Sequence, residues 1–534
     1  MLEDNPLLSK IVSRFHIIVA SLVALGGAAI FGIAAGSGDF FNIYIGLFVC
    51  GFIAIMLALG DKFWLVVPFA FTSQLPAIPI KGRLLELPEI TAVLGTAVFL
   101  VRYAVKRQTL SIFRREHVPI LLYTAWVVMV FCLNPVGLSD AGAALGGARF
   151  YAKILLALAS FLIMANQQIT ERDCKHILII LIVGSLLDTA YSIGVYFLPS
   201  GLGNMVQLNA DADNYYSWHQ TLAKFPGLLI CLAFARYKAS ELISLDRLWV
   251  FFSLVLCVVL IAMSGKRVAI AAVPLFAITA SMLRREWGFL VLWLVGATIA
   301  SGIIILGHGD LFHFPLTVQR TFSVLPAKWD PEFQGMEGGQ DEFRKELRRQ
   351  AMKKIEQDPW VGSGYAVNLS LAQALSTQYA VRGGDVELQV APYAMGSAWH
   401  NTWLGYAADF GIPLSMIAAL IYLTVIRRGY KLIRVFPTAT FTGILSMYIL
   451  LFTIRRLAFS HAAGHSAEEP FGYWWMFGLQ IALSLRRPES PQQQQADVRS
   501  WSAGGGAQIP LPPRGRALPR PLSGSPVSAR NVHS

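Results

Sequence analysis

Charged residues are scarce in this sequence of 534 residues. Asp, Glu, Lys and Arg make up 14% of the chain, whereas hydrophobic residues make up 55%. A soluble globular domain carries about 25% charged residues. The long apolar stretches also lack the polar faces at helical spacing that a surface helix of a soluble protein needs. The composition therefore excludes a large soluble protein and predicts a membrane protein.

Cysteine is also sparse, and no CxxC pair is present. Neither a disulfide framework nor a thiolate metal site is indicated, and we expect no cofactor. His461 and His465 are four residues apart, a spacing that can bind metal on a helix. No HExxH accompanies them, and Gly464 weakens a helix at this point, so we expect no metal ion there.

The sequence lacks a basic patch interleaved with aromatic residues, although its net charge is +12. In membrane proteins an excess of Lys and Arg more often fixes the orientation of the spans. We therefore expect a lipid bilayer, and no nucleic acid, as a partner.

Apolar runs of about 17–25 residues, each long enough to cross hydrocarbon, recur from Ile17 to Leu485. Each must be helical, because lipid offers no partners for open backbone groups. We predict an all-α polytopic membrane protein with about 12–14 transmembrane helices in residues 1–485. Residues 486–534 are rich in Pro, Gln and Gly, which predicts a disordered tail.

Basic loops alternate with weakly charged ones along the chain. Segments such as "VKRQTLSIFRREH" and "IRRGYKLIRVF" fall on one side, which the positive-inside rule makes cytoplasmic, together with both termini and the tail. The opposite side receives one large periplasmic loop, residues 307–399. Within it, Phe343, Leu347, Ala351 and Ile355 recur every four residues and predict a short amphipathic helix. We expect this helix to lie along the bilayer surface with its apolar side down.

Several cations stand on the predicted outer face, where the positive-inside rule disfavours them. As a group they predict a bound anion, because guanidinium binds phosphate in a bidentate way. The alternative is that each one snorkels or pairs with a local carboxylate. The cations are Arg149, Lys266, Arg267, Arg320, Arg344, Arg455 and Arg456.

His400 precedes a long apolar run in "GSAWHNTWLGYAADFGIP". Imidazole accepts a proton near neutral pH, so His400 is a candidate general base that acts on a sugar hydroxyl. The alternative is an interfacial histidine at a helix start, with Asn401 beside it.

His219 lies among aromatic residues suited to stacking on sugar rings. Asp188 is mid-span and is either functional or bonded to a neighbouring helix.

Two segments together resemble the signature of the O-antigen ligase/polymerase family. They are "FRKELRRQAMKKIEQDPWVGSGYAVN" and "HNTWLGYAADFGIP". "SGKRVAI" resembles the family's Ser-Arg segment, with Arg267 in the arginine position, and "VQRT" followed by "SVLPAKWD" resembles its loop. The positions that fill the signature are Arg344, Pro359, Gly362, Gly364, His400, Asn401, Leu404, Asp409 and Gly411.

The resemblance implies a GT-C-like membrane glycosyltransferase that is independent of metal ions and inverting. Its donor would be a glycan on undecaprenyl pyrophosphate, and its acceptor a hydroxyl on a lipid A core, a glycan or a protein. The site would face the periplasm from the bacterial inner membrane. His400, Arg267 and Arg344 would be catalytic, and the residues that bind substrate would be Arg149, Arg320, Asn401, Lys266 and His219.

Three functions are compatible with these features. A glycan ligase and a polymerase of repeat units would share the donor and differ in the acceptor. A lipid-linked glycan flippase or other transporter would place polar groups through the middle of the membrane. Because the charged residues concentrate on one face, the sequence favours chemistry at the outer face, and we expect a ligase.

Overall fold

The computed structural model describes residues 50–56, 58–73, 78–80, 83–106, 112–135, 148–197, 221–242, 244–365, 399, 401–461 and 469–486. The predicted span near residue 26 lies outside the described residues, as does the predicted tail after Arg486.

The described residues are almost entirely α-helical, which confirms the predicted all-α polytopic class. One exception is an antiparallel hairpin of β1 (Ile78–Ile80) and β2 (Arg83–Leu85). The helices are α1 (Val66–Ser73), α2 (Leu87–Lys106), α3 (Val118–Leu133), α4 (Ala148–Ala165), α5 (Glu171–Phe197), α6 (Lys224–Arg236), α7 (Ala239–Leu242), α8 (Leu248–Met263), α9 (Arg267–Arg284), α10 (Trp287–Gly307), α11 (Leu316–Phe322), α12 (Pro331–Gln357), α13 (Thr402–Phe410), α14 (Ile412–Val435), α15 (Phe441–Phe459) and α16 (Glu469–Leu485).

Within the described ranges, eight helices are long and apolar enough to cross a membrane. A ninth is added if the bent pair Cys50–Met56 and Gly60–Ser73 forms one span. The sequence predicts about 12–14 spans. Part of the difference falls on residues outside the described ranges, and part on short helices. The predicted span near residue 228, for example, is the 13-residue helix α6.

The spans differ in how much of their surface the protein itself covers. None of the α10 window is buried inside the protein, whereas 61% of the α15 window is. A helix that is apolar on all sides and uncovered by protein suits contact with lipid. We therefore place α10 at the periphery and α15 at the centre of the bundle.

Loops that the sequence places on the cytoplasmic side contact one another. Arg236 donates to the carbonyl oxygen of Thr438 at 2.9 Å, and Arg284 donates to that of Ala235 at 2.8 Å. Arg486, at the end of α16, pairs with Glu171 at 3.0 Å. The alternation of basic loops thus correctly grouped these turns at one end of the bundle. Their assignment to the cytoplasm stays a prediction from the positive-inside rule.

The amphipathic helix exists, but the expectation that the bilayer covers its apolar side was wrong. It is α12, which begins after Asp330 and ends before Pro359. Its apolar residues Leu347, Ala351 and Ile355 pack against Trp399 and α13. The apolar stripe is therefore covered by protein rather than by the bilayer. Periodicity identifies an apolar face, but it does not identify what covers that face.

Six helices form a ring at the centre of the described bundle. Around it, each helix packs on the next in the order α1, α5, α6, α9, α15, α16 and back to α1. The contact between α16 and α1 is aromatic, with Phe71 edge-on to Phe471 at 5.1 Å and stacked on Trp475 at 6.4 Å. This ring surrounds the cavity described next.

Candidate functional site

A cavity of about 720 Å³ lies within the ring of six helices. Among the described residues, its wall carries five cationic side chains and two carboxylates. The rest of the wall is mostly apolar and includes Ile230, Phe276 and Trp475. A cavity with both a charged and an apolar part suits an amphiphilic anion. The charged residues are Lys153, Lys224, Lys266, Arg455, Arg456, Glu86 and Asp188.

One group of charges surrounds Asp188. Its carboxylate pairs with Lys224 Nζ at 2.8 Å, and its side chain is 6% exposed. Lys266 lies close enough to sense the charges of Lys224, Arg455 and Asp188. Burial is the main cause that lowers the pKa of Lys266, and the two neighbouring cations lower it further, whereas Asp188 raises it. Among the described residues of the cavity wall, Lys224, Lys266 and Arg455 thus lie around the carboxylate of Asp188.

A second group of charges is balanced. Lys153 Nζ donates to Glu86 Oε1 at 2.9 Å and lies 5.6 Å from the centre of the Phe471 ring. Each of these charges therefore has an opposite charge beside it. The positive excess of the cavity lies with Lys224, Lys266 and Arg455, together with Arg456, which stands over the Tyr473 ring at 4.7 Å.

Arg267 and Arg320 adjoin Lys266 in the sequence and in space. Arg267 Nε donates to the backbone carbonyl of Arg320 at 3.1 Å. Thr321, in the same helix α11, donates to the carbonyl of Ala262 at 2.7 Å and ties α11 to the end of α8. The structure thus brings together the sequence-predicted Lys266, Arg267 and Arg320.

Arg149 does not line the cavity, because its guanidinium is held elsewhere. Its Nε donates to Glu89 Oε1 at 2.9 Å, and its second terminal nitrogen (Nη2) donates to Glu89 Oε2 at 2.7 Å. Glu89 belongs to α2 and is buried. For this residue the structure favours the alternative stated for the outer-face cations, which is pairing with a local carboxylate.

Arg344 and Asn401 also lie outside the cavity wall. Arg344 is exposed on α12. Asn401 is the N-cap of α13, and its side-chain oxygen accepts hydrogen bonds from the backbone N–H groups of Trp403 and Leu404, each at 3.1 Å. Such a cap satisfies helix-start donors that otherwise lack partners. His400 and His219 lie outside the described residues.

The start of α13 is fixed against the end of α15. Thr402 N–H donates to the Ser460 carbonyl at 2.9 Å, and the Trp403 indole donates to the Ser460 hydroxyl at 2.6 Å. Arg455 and Arg456 occupy the last turn and a half of α15, so the segment that follows His400 in sequence is anchored just beyond two cavity cations.

The two signature segments pack directly on each other. Ser363 N–H donates to the Ala408 carbonyl at 3.1 Å, and Gly364 N–H donates to the Asp409 carbonyl at 2.9 Å. Gly362 has a φ of +74°, and a Cβ there would come within 2.5 Å of the Phe410 nitrogen. The signature glycines thus allow a close backbone contact in a conformation that other residues rarely adopt.

Sequence reasoning missed Lys153 and Lys224 as cavity residues. Both interrupt otherwise apolar stretches, and an ionisable residue within a membrane segment marks a functional site by default. That signal was available, but nothing in the sequence joined Lys224 to Asp188. The described residues hold no cluster of three or more His, Cys, Asp or Glu that is arranged to bind a metal ion.

Residues 252–418 match the family model described as O-Antigen ligase. This segment of the chain is similar to the O-antigen ligase family. The match runs from α8 to the first turns of α14 and so includes Lys266, Arg267, Arg320 and both signature segments, which confirms the resemblance seen in the sequence. Its long apolar helices make the chain a multi-pass membrane protein, and the matched segment is similar to O-antigen ligases. A search of curated proteins found no match.

Proposed function

We propose that this protein transfers a glycan from undecaprenyl pyrophosphate to an acceptor hydroxyl at the outer face of the bacterial inner membrane. The cavity carries the proposal, because it joins a cation-rich end to apolar walls. A polyprenyl diphosphate has the same two parts, an anionic head and an apolar chain. The reaction is metal-independent and inverts the anomeric carbon.

The proposed step exchanges one bond at the anomeric carbon for another. The acceptor oxygen attacks this carbon and loses its proton, and the bond to the phosphate oxygen breaks, which releases undecaprenyl pyrophosphate. Negative charge grows on the departing diphosphate, and cations that are already in place stabilise it. Arg267 is our candidate for this role, with Lys266 beside it and Arg320 one hydrogen bond away.

His400 is our candidate for the base that takes the acceptor proton. Arg344 would approach the substrates from α12, and His219 would contact a sugar ring; the roles of these three residues rest on their places in the sequence. Arg149 and Asn401 are better suited to structural roles, since Glu89 and the start of α13 occupy their polar groups.

The test measures glycan transfer from a purified lipid diphosphate donor to candidate acceptors. We expect His400→Ala to lower the rate by about 10²–10⁴-fold. We expect Arg267→Ala to lower it by about 10²–10³-fold, since it removes one group that stabilises developing charge. Matched controls are His176→Ala and Arg427→Ala, because both residues are exposed and lie at the end of the bundle that the positive-inside rule predicts to be cytoplasmic.

The products separate the related functions. A single addition to the acceptor supports a ligase, whereas a ladder of repeats supports a polymerase. Parental rates in both His400→Ala and Arg267→Ala would refute the mechanism. Movement of the donor across the membrane, with no covalent product, would support the transporter instead.

A further inference from the structure

Gln319, in the short helix α11, is a polar residue that is only 2% exposed. Its side-chain nitrogen donates to the carbonyl oxygen of Phe314 and to Asp330 Oδ2, each at 2.9 Å. Its side-chain oxygen accepts from the backbone N–H of Asp330 at 3.1 Å. One buried amide thus joins α11 to the segment that follows α10 and to the start of α12. Such a buried network holds its members firmly, because each of these bonds is costly to leave unmade.

The position of α11 depends on contacts of this kind. The helix has seven residues, which is too short for a helix to be stable by itself. On its other side, Thr321 donates to the carbonyl of Ala262 at the end of α8, at 2.7 Å. Residues two apart on a helix point about 200° away from each other. Gln319 and Thr321 therefore hold α11 from opposite sides.

The last turn of α11 in turn contacts the connection between α8 and α9. Arg267 Nε donates to the carbonyl oxygen of Arg320 at 3.1 Å. A Cβ at Gly265 would lie 3.7 Å from the Arg320 side chain, so the connection packs directly against α11. Because a guanidinium group is planar, a hydrogen bond at Nε restricts the plane in which its terminal nitrogens lie. The place of the Arg320 carbonyl therefore helps to set the direction of the Arg267 guanidinium.

We propose that Gln319 is a positioning residue for glycan transfer, because its buried amide holds α11 where the Arg320 carbonyl orients the Arg267 guanidinium. This inference rests on the proposed function, in which Arg267 stabilises the charge that grows on the departing diphosphate. Gln319 acts through Arg267 and contacts neither donor nor acceptor. A displacement of about 1 Å at a reacting site can lower a rate by about 10²-fold. Loss of the Gln319 amide therefore lowers the rate although every reacting group is still present.

The alternative is that Gln319 stabilises the fold and has no particular connection to Arg267. The two roles differ in how the effects of the two residues combine. If Gln319 acts through Arg267, its loss has little further effect once the guanidinium is absent. If it stabilises the fold in general, the two losses of rate multiply.

The experiment measures kcat and KM of the purified full chain in detergent, with a lipid diphosphate donor. Gln319→Met keeps a side chain of similar volume and removes all three hydrogen bonds. We expect it to lower kcat by about tenfold or more and to change the donor KM much less, because Arg267 acts on charge that grows in the transition state. The double variant Gln319→Met with Arg267→Ala should have the kcat of Arg267→Ala within about twofold.

Asp330 offers a rescue that depends on its bond to Gln319. Gln319→Glu places a second carboxylate beside that of Asp330, and the two repel each other. We expect this variant to lower kcat at least as much as Gln319→Met does. When Asp330→Asn is added, the new amide donates to the new carboxylate, so the bond returns with its direction reversed. This combination should recover part of kcat, and not all of it, because the bond to the Phe314 carbonyl stays lost.

Two controls separate this role from local and general effects. Lys328 Nζ contacts both Asp310 carboxylate oxygens at 2.6 and 2.7 Å, but the pair is exposed and outside the cavity. Lys328→Met breaks a contact close to α11 in sequence and should leave kcat unchanged. Ile177→Ala removes part of a fully buried side chain in α5 and should lower Tm. Any effect of Ile177→Ala on kcat should multiply with that of Arg267→Ala.

Several outcomes would overturn the positioning role. One is a wild-type kcat in Gln319→Met, and another is a double variant slower than Arg267→Ala by the full factor that Gln319→Met shows alone. If Gln319→Met does not fold, Asp330→Ala carries the same cycle, since Asp330 is only partly buried and its backbone N–H remains. Wild-type transfer by Arg267→Ala would reject the proposed role of Arg267, and this inference with it. Slow transfer by Arg267→Ala without the coupling would remove this inference alone.

Discussion

The indole N–H of Trp399 donates to both carboxylate oxygens of Asp409, at 3.1 and 3.2 Å. Asp409 is fully buried. The turn that contains Gly362 and Gly364 packs against the backbone of Asp409 and of the residues next to it. The acidic residue of the signature is thus part of a structural joint between the segment that follows α12 and the break between α13 and α14. The most recognisable motif of the sequence holds the site's scaffold together, and the cations in the cavity stand on other helices.

Alanine at Gly362 or Gly411 should destabilise this joint. Both residues have positive φ, +74° and +82°, and a Cβ at Gly411 would overlap the Trp360 carbonyl. We expect each change to cost about 1–3 kcal/mol of unfolding free energy and to lower Tm in detergent. Gly296→Ala is the control, since nothing lies within 4 Å of its Cβ position and φ is not positive there. Equal melting of all three variants would mean that the backbone contact contributes nothing.

The Arg149–Glu89 pair should stabilise the fold and leave diphosphate binding unaffected. Removal of one partner leaves an uncompensated charge at a largely buried site, which costs about 3–5 kcal/mol. We therefore expect Arg149→Met and Glu89→Gln each to lower Tm, and the double variant to recover most of the loss. Farnesyl diphosphate affinity should be unchanged in all three. A selective loss of affinity in Arg149→Met, with Tm retained, would return Arg149 to the pyrophosphate site.

The case of Arg149 shows where sequence reasoning reached its limit. The pattern of apolar runs correctly predicted the class of fold, and the paired motifs correctly predicted the match to the O-antigen ligase family model. Both the apolar runs and the motifs are patterns of residues that lie close together in the sequence. The partner of Arg149 lies 60 residues away in α2. No spacing rule reports such a contact, so a guanidinium suited to phosphate could not be distinguished from one already paired.

The same limit explains why the cavity was only partly predicted. Lys266, Arg455 and Arg456 were identified as outer-face cations, and Asp188 as a mid-span carboxylate. That Lys266, Arg455 and Asp188 meet depends on the packing of α5, α9 and α15, which are separated by long stretches of sequence. Hydropathy gives the length of each helix but not its neighbours in the ring. The sequence alone therefore did not predict that Lys153 and Lys224 line a cavity.

Leu347→Ala should loosen α12 from α13. Leu347 is buried in the small cluster with Ala351 and Trp399, and truncation of a buried leucine costs about 2–5 kcal/mol. We expect faster amide hydrogen exchange and earlier proteolysis within α12. Met352→Ala is the control on the same helix, because Met352 is 45% exposed. If amide exchange in both variants occurs at the wild-type rate, the packing of Leu347 against α13 does not stabilise α12.

The lowered pKa of Lys266 should appear in the pH dependence of diphosphate binding. Burial and the neighbouring cations favour the neutral amine, so Lys266 loses its proton at a lower pH than an ordinary lysine does. A bound diphosphate favours the ammonium form and raises this pKa again, so binding is accompanied by proton uptake. Affinity for farnesyl diphosphate should therefore fall as pH rises through the pKa of Lys266 in the empty cavity. An arginine at this position stays charged over this pH range. We therefore expect the affinity of Lys266→Arg for farnesyl diphosphate to decrease less with rising pH than that of the wild type.

The comparison with Lys266→Arg isolates the lysine, because the ligand's own titration is common to both proteins. Calorimetry in buffers of different ionisation enthalpy would measure the proton uptake directly. Lys328→Arg, in the exposed pair outside the cavity, is the control and should retain the wild-type profile. Identical alkaline profiles for the wild type and Lys266→Arg would mean that the charge of Lys266 does not change in this range. The positive excess at Asp188 would then be independent of pH, and the ligand would take its binding energy from cations that stay charged throughout.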